Sequence, residues 1–305
     1  MNANLALGPR TSSIVAWIER AMGQGARVVG IEAMPRSSTE KHRIEVALGD
    51  ESSCWLVLRR YHDAQRLTSD PWYVPGNEAM ALGLLADTGI PAPRLHAADL
   101  EAKACDVPAL LESWMPGATL QPADDLDRYL PRSAETLVAL HMVKIPAGVR
   151  LPGYATYRKT VSIGPPSFST RPGLWERLDM FLDPPGPAHA PAFIHRDYHP
   201  GNILWDGARV TGVVDWATAA WGPPGIDLAR MRLNLAMTHG AAAADRFTEA
   251  YAAAGGDRSA RHRYWDLLDA ADAVLDISPA TPAEARAWAR FEDYVEHILA
   301  ERTPA

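Results

Sequence analysis

The sequence predicts an α+β protein in two lobes, with a sheet-rich first part and a helix-rich second part. Before residue 116, short runs rich in β-branched and aromatic residues are separated by turn signals; from about residue 123, helical patterns dominate. The strand-like runs come together near the start instead of alternating with helices, which is the α+β pattern rather than a chain of βαβ units. The expected boundaries are 1–115 for the first lobe and 116–305 for the second.

The elements follow in order. Residues 13–22 read as a helix with Ser12 or Ser13 as its N-cap. Strand-like runs come next: "ARVVGIEAM" at 26–34, "HRIEVAL" at 42–48 and "CWLVLRR" at 54–60, the last two separated by the turn pair Gly49-Asp50. "PGNEAMALGLLADTG" predicts a helix that stops at Gly89, with Pro91 and Pro93 beyond it. "PALLESWMPG" reads as a buried strand entering a turn. Helical patterns then cover 123–144, 173–182, 226–238, 241–254, 259–277 and 282–300, interrupted by the Pro/Gly-rich connections "GPPSFSTRPG" (164–173) and "DPPGPAHAP" (183–191). There is no internal repeat.

Bulk properties narrow the class. The chain has 305 residues, enough for two apolar cores, and its 47% hydrophobic and 22% charged content is ordinary for a globular protein. A net charge of −7 argues against nucleic-acid binding, which needs a basic face. Cys54 and Cys105 have neither metal-type spacing nor the look of a disulfide framework, which suggests a reducing compartment. The N-terminus has no basic n-region, and no apolar run reaches the roughly 18 residues of a membrane helix. The expectation is a cytoplasmic protein with no nucleic-acid or membrane partner.

One segment concentrates chemistry. "FIHRDYHPGNILW" (193–205) sets His195, Asp197 and Asn202 at fixed offsets around Pro200-Gly201, and a second apolar run, "ARVTGVVDW", ends near Asp215. A strand–loop–strand–turn–strand path would gather Asp197, Asn202 and Asp215 at one end of a small hairpin. A carboxylate there can take a proton from an attacking hydroxyl, and an Asn and an Asp oxygen are hard ligands suited to Mg²⁺. The plainer alternative is a polar loop whose Asp and Asn cap turns.

"HRDYHPGN" matches the H-x-D-x-x-x-x-N loop of the kinase fold, and "VVDW" sits where protein kinases carry their D-F-G aspartate. With "HPGN", "DW" and "GPPGIDLAR", the chain resembles the aminoglycoside phosphotransferase family. The resemblance implies a two-lobed protein-kinase-like fold, with an antiparallel-sheet N-lobe and a mainly helical C-lobe. It also implies a Mg²⁺-dependent kinase that uses ATP (or GTP) on a small-molecule hydroxyl. Position by position, it makes Asp197 the group that orients the hydroxyl and takes its proton, and Asn202 and Asp215 the metal ligands. His195 would brace the loop, and Asp227 would tie it down from a buried position. Arg196 is left unassigned, and His199 reads as a locally satisfied loop side chain.

The nucleotide half departs from the pattern. Arg59 stands in the place of the strand lysine, with Lys41 as a second candidate cation and Glu78 as the natural partner of Arg59. The phosphate-covering loop, "PRSSTEK", has no glycine; Ser37, Ser38 and Thr39 could offer hydroxyls, while Pro35 removes a donor. Backbone groups of Glu112 and Trp114 would meet the base, with Leu111 at the back of its pocket.

On the acceptor side, Asp266, Asp269, Asp272 and Asp276 recur at three- and four-residue steps, one acidic stripe opposite Leu267, Leu268, Ala271 and Val274. They read either as a solvated face or, by the resemblance, as receivers of an acceptor's ammonium groups. The 164–173 segment is an acceptor-side lid or a static surface loop. An aminoglycoside-like acceptor leads. The rivals are a metabolite kinase of the choline or homoserine type, a protein kinase, and a nucleotide-binding pseudokinase without turnover.

Overall fold

A computed structural model describes residues 7–8, 10–35, 38–121, 125–157, 164–274, 279 and 281–301. The chain forms two compact units, one running to Gly117 and including Thr211–Thr218, the other made of Ala118–Val210 and the residues from Ala219 onward. Thr211–Thr218 is thus separated in sequence from the unit it folds with. Within that unit, Thr211 Oγ1 donates to the Pro116 carbonyl at 2.5 Å and the Val213 N–H to the Pro91 carbonyl at 2.6 Å.

The first unit begins with α1 (Thr11–Met22), followed by β1 (Arg27–Ala33), β2 (Glu40–Ala47) and β3 (Ser53–Arg60). Then come α2 (Ala64–Ser69), α3 (Pro75–Leu85), β4 (Leu95–Asp99) and β5 (Ala109–Ser113). The strands form one antiparallel sheet in the order β1-β2-β3-β5-β4. Ile44, Val46, Leu56, Leu58 and Leu111 share a core with Ile14 and Ile18 of α1. Burying each such side chain contributes about 1.5–3 kcal/mol. Pairing of Lys41 and Leu110 with Arg59, and of Glu112 with Val57, puts these residues on the opposite face.

Two details differ from expectation. Arg10, not Ser12 or Ser13, precedes α1, and it caps with no side chain. Both serines lie inside the first turn instead, where Ser13 Oγ reaches the Ala104 carbonyl at 2.6 Å. The elements α2 and β4 had no strong signal. The helix α2 starts because Asp63 accepts the Arg66 N–H at 3.0 Å, and β4, "LHAAD", has too few β-branched residues to stand out.

The second unit contains β6 (Ala118–Thr119), α4 (Leu126–His141), α5 (Pro172–Leu182), β7 (Ala192–Ile194) and β8 (Ile203–Asp206). The strand β9 (Arg209–Val213) leads the chain into Thr211–Thr218, and β10 (Ala220–Gly222) leads it back. The unit finishes with α6 (Gly225–His239), α7 (Ala241–Ala253), α8 (Arg263–Ala273) and α9 (Pro282–Ala300). The helix α6 packs against α7, α8 and α9, and β7 pairs with β10. Gly225 opens α6 because any side chain there would collide: a Cβ would lie 2.2 Å from the Trp265 ring and 2.5 Å from the Ala260 carbonyl. The expected 259–277 helix is shortened at its start by a separate 3₁₀ turn at Arg258–Ala260, after which the His262 side chain caps α8 through the Tyr264 N–H. The 164–173 segment is bound to α9: Phe168 meets Trp288 edge-on, Ser169 pairs with Glu292, and Arg171 reaches Asp293 at 2.6 Å. This is the arrangement of an anchored loop. No helix among the described residues is long and apolar enough to cross a membrane.

A stability test comes from Asp99 at the end of β4. Its carboxylate accepts the N–H groups of Lys103, Ala104 and Cys105 at 2.9, 2.8 and 2.7 Å. Burial pushes its carboxyl up, but these bonds win and hold it below the ordinary range. A depressed folded-state pKa gives stabilisation that is present above the ordinary carboxylate range and fades as pH falls through the lowered value. Asp99→Ala should therefore cost about 1–3 kcal/mol at pH 7 by urea unfolding, with a smaller cost in acid. An equal cost at both pH values would contradict the assignment.

Candidate active site

In the second unit, the site is built around one buried carboxylate. Gly225 lets α6 begin tight against α8, and Asp227 in the first turn of α6 is fully buried. A buried carboxylate must be fully hydrogen-bonded, and this one is well supplied. Its Oδ2 accepts the His195 N–H at 2.9 Å, its Oδ1 accepts the Arg196 N–H at 2.6 Å, and His141 Nε2 lies 3.1 Å from Oδ2. Tyr251 steadies His141 from behind, 2.9 Å from its Nδ1. These bonds fall on the turn where β7 ends and Arg196 takes a φ of +69°, a left-handed conformation costly for a side-chain-bearing residue.

The turn presents Asp197. His195 Nδ1 accepts the Asp197 N–H at 3.2 Å, and Asn202 Nδ2 donates to both the Asp197 carbonyl and Oδ2 at 3.0 Å. His199, whose Nδ1 accepts the Gly201 N–H, brings Nε2 to 3.6 Å from Asp197 Oδ2. Arg230 Nε stands 3.6 Å from Oδ1. Burial would raise this carboxyl, yet His199, Arg230 and His195 together hold it well below the ordinary carboxylate range. Asp197 is therefore a charged, partly exposed acceptor of hydrogen bonds. Asn202 spends its nitrogen on Asp197, which turns its oxygen away from that carboxylate.

The first unit carries its own charge cluster. Arg59, nearly fully buried, lies 3.1 Å from Glu78, 2.8 Å from Asp215 and 3.9 Å from Glu112. Lys41 Nζ is 3.5 Å from the other oxygen of Asp215. Glu78 also accepts the Tyr61 hydroxyl at 2.5 Å and the Trp216 N–H at 3.0 Å, which fixes the chain just after Asp215. Asp215 itself has a φ of +69°. Burial, reinforced by the charges of Glu78 and Asp215, pushes the Glu112 carboxyl up to about 8 despite Arg59.

Several expected placements change. Leu111 points into the core shared with α1, on the sheet face opposite Arg59, because side chains alternate along β5. Glu112 pairs with Val57 of β3 and Leu95 of β4, and the Trp114 N–H is taken by the Trp55 carbonyl at 2.9 Å, so that N–H is committed to the sheet. It is the side chain of Glu112 that joins the Arg59 cluster. Ser38 is exposed between β1 and β2, and Ser37 lies outside the described residues.

The acidic stripe is not a solvated face. Asp266, Asp269 and Asp272 are all buried, as are Leu267, Leu268 and Ala271 behind them, because α8 is covered on both sides. Asp266 pairs with Arg232 at 3.0 Å and Arg261 at 3.1 Å and accepts the Tyr294 hydroxyl at 2.9 Å. Asp269 pairs with Arg230 at 3.1 Å. Asp272 accepts Thr156 Oγ1 at 2.5 Å and the Tyr157 N–H at 3.1 Å, with Arg196 at 3.9 Å. Asp276 lies outside the described residues. The sequence reading missed Arg230, His141 and the stacking of Arg196 over Tyr157 at 4.3 Å. A signal for Arg230 was available: in "DLAR" it lies three residues after Asp227, one turn along the same α6 face.

Replacing Asp227 tests the role of its carboxylate. Asp227→Ala strands two buried N–H groups and should cost about 3 kcal/mol by urea unfolding. A loss below about 0.5 kcal/mol, the level of an ordinary surface change, would show that the carboxylate does not hold the loop.

A family model, the APH phosphotransferase enzyme family, matches residues 37–265. A curated relative, the N-acetylmuramate/N-acetylglucosamine kinase of Caulobacter vibrioides, is 29% identical over 155 residues, and that stretch spans 40% of this chain but only 43% of the relative. Among solved structures, a thermostable mutant of aminoglycoside phosphotransferase APH(4)-Ia, in a ternary complex with ADP and hygromycin B, superposes with a TM-score of 0.60 at 16% identity, covering 95% of this chain and 100% of that one. Macrolide 2'-phosphotransferase MphH from Brachybacterium faecium gives a TM-score of 0.58 at 18% identity, covering 96% and 100%. At these identities the structures show the shared fold. The family match over most of the sequence goes further: this chain belongs to the APH phosphotransferase enzyme family, with its α+β, protein-kinase-like fold.

Proposed function

We propose that the protein is a small-molecule kinase that moves the γ-phosphoryl group of ATP, or GTP, to an acceptor hydroxyl. The carrying observation is the presentation of Asp197: a carboxylate kept charged and partly exposed on a strained turn that Asp227 holds from below. In this reading the first unit takes the nucleotide and the second supplies the base and the acceptor contacts. Asp197 orients the hydroxyl and accepts its proton. The hydroxyl oxygen bonds to the γ-phosphorus, the bond from that phosphorus to the bridging oxygen breaks, and the nucleoside diphosphate leaves. Holding the partners in line supplies much of the rate.

Asn202 and Asp215 are the proposed ligands of Mg²⁺. Their chemistry fits, since each presents a hard oxygen, one turned away from Asp197 and the other on a part-exposed carboxylate. When bound, Mg²⁺ neutralises charge on the phosphate oxygens. Arg59 and Lys41 are the proposed phosphate cations, Glu78 orients Arg59, and Ser37 and Ser38 lie on the proposed phosphate-covering loop.

For the acceptor, internal pairing of Asp266, Asp269 and Asp272 favours a neutral hydroxylated molecule over a polycation, because those charges are already answered. N-acetylglucosamine, one of the two sugars named for the Caulobacter relative, is of that class. A second reading, nucleotide binding without turnover, is favoured by the three carboxylates around Arg59, which compete with phosphate for it.

These readings separate in ADP release from MgATP across N-acetylglucosamine, N-acetylmuramate, choline, homoserine and hygromycin B. The expectation is release with a neutral N-acetylated sugar; response to hygromycin B alone would overturn the acceptor class, and response to none would favour the second reading. Asp197→Asn should lower turnover at least about a hundredfold while nucleotide still raises the Tm; unchanged turnover would remove Asp197 as the base. Asp215→Ala should abolish the Mg²⁺-dependent part of the nucleotide-induced Tm shift, and its persistence would remove Asp215 from the metal.

A further inference from the structure

The arm of Arg230 joins two carboxylates of different standing. Its Nη2 lies 3.1 Å from Asp269 Oδ1 and its Nε lies 3.6 Å from Asp197 Oδ1. Asp269 is buried on α8 and Asp197 sits on the part-exposed turn after β7. Arg230 rises from α6 one turn beyond Asp227. The same helix face therefore reaches the same loop twice, through its backbone by Asp227 and through its reactive side chain by Arg230.

The two oxygens of Asp197 have different surroundings. Oδ2 accepts Asn202 Nδ2 at 3.0 Å and faces His199 at 3.6 Å, whereas Oδ1 faces Arg230. Arg230 Nε is buried and has no hydrogen-bond partner among the described residues, and the same holds for Asp269 Oδ2. At 3.6 Å the Nε–Oδ1 contact is an ion pair still short of a hydrogen bond, the looseness expected of a site that tightens when its substrates arrive. A guanidinium with most of its surface out of water is best tolerated when paired, and the buried Asp269 carboxylate pairs Arg230 at this place.

We propose that Arg230 is a positioning residue for Asp197, with Asp269 as its anchor: the Asp197–Arg230–Asp269 chain aims Oδ1 at the acceptor hydroxyl. The inference rests on Asp197 being the proton acceptor. It gives Asp269 a supporting use inside the protein in place of direct contact with an acceptor. The planar fork of arginine suits a bridge between two carboxylates, and lysine keeps the charge with a single point of contact.

The test uses the full chain with Arg230→Met, Arg230→Lys, Asp269→Asn and Asp197→Asn. Turnover is read as ADP release from MgATP with N-acetylglucosamine and, in parallel, with water as the only acceptor. Arg230→Met should lower kcat about ten- to a hundredfold with the KM for ATP unchanged within about twofold, the signature of lost orientation rather than lost binding. Arg230→Lys should recover part of that loss, and Asp269→Asn should lower kcat in the same direction by less. A stability cycle over Arg230→Met, Asp197→Asn and the double variant gives an acceptor-independent reading, and the two changes should be non-additive in Tm. Additive Tm changes overturn the proposal. So does an Arg230→Met enzyme with unchanged kcat, or one whose kcat loss is matched by a loss of nucleotide-induced Tm shift. If Asp197→Asn turns over normally while the Tm cycle is non-additive, the base reading fails and the ion pair stands as structural only.

Discussion

The fully buried carboxylate of Asp227 is the constraint on which the turn that presents Asp197 depends. It satisfies two consecutive backbone N–H groups, His195 and Arg196, just where the chain leaves β7. A left-handed arginine is unfavourable by itself, so the turn persists only if its surroundings over-determine it. Asp227 does so from inside, and Arg196 does so from outside by lying over Tyr157 and donating to the Ala155 carbonyl at 2.9 Å. Asp197 is the next residue, and its direction follows from these bonds.

The first unit solves a related problem by charge. Arg59, Glu78, Glu112, Asp215 and Lys41 occupy one sheet face and its margins, and no member stands alone. Burying a guanidinium is tolerable because carboxylates surround it. Burial, reinforced by the neighbouring charges of Glu78 and Asp215, raises the Glu112 carboxyl despite Arg59. Glu78 bonds both Arg59 and the Trp216 N–H, so the strand cation and the position of the Asp215 loop are adjusted together.

Much of this was legible in the residues. The "HRDYHPGN" spacing and "GPPGIDLAR" named the loop and its buried tie, because both depend on local offsets that a sequence displays. Arg59 and Glu78 were legible as a pair from strand alternation and helix position. The failures share a cause. Whether the Asp266, Asp269 and Asp272 face meets water depends on what covers α8, and period alone cannot say; the partners Arg230, Arg232 and Arg261 come from other segments. Leu111, expected by the resemblance at the back of the base pocket, instead faces the core shared with α1, and in a strand one step along the chain reverses the face. The serine caps of α1 failed because cap choice turns on where the chain enters the helix, and here Arg10 holds that place.

The most direct measurement is amide hydrogen exchange at His195 and Arg196, residue by residue, in the wild-type protein and in Asp227→Asn. If Asp227 holds the turn, both amides exchange only through global unfolding in the wild type, and in the variant they open locally, exchanging much faster than the neighbouring core amides of β7. Rapid exchange of these two amides in the wild type, or protection unaltered in the variant, would contradict the account.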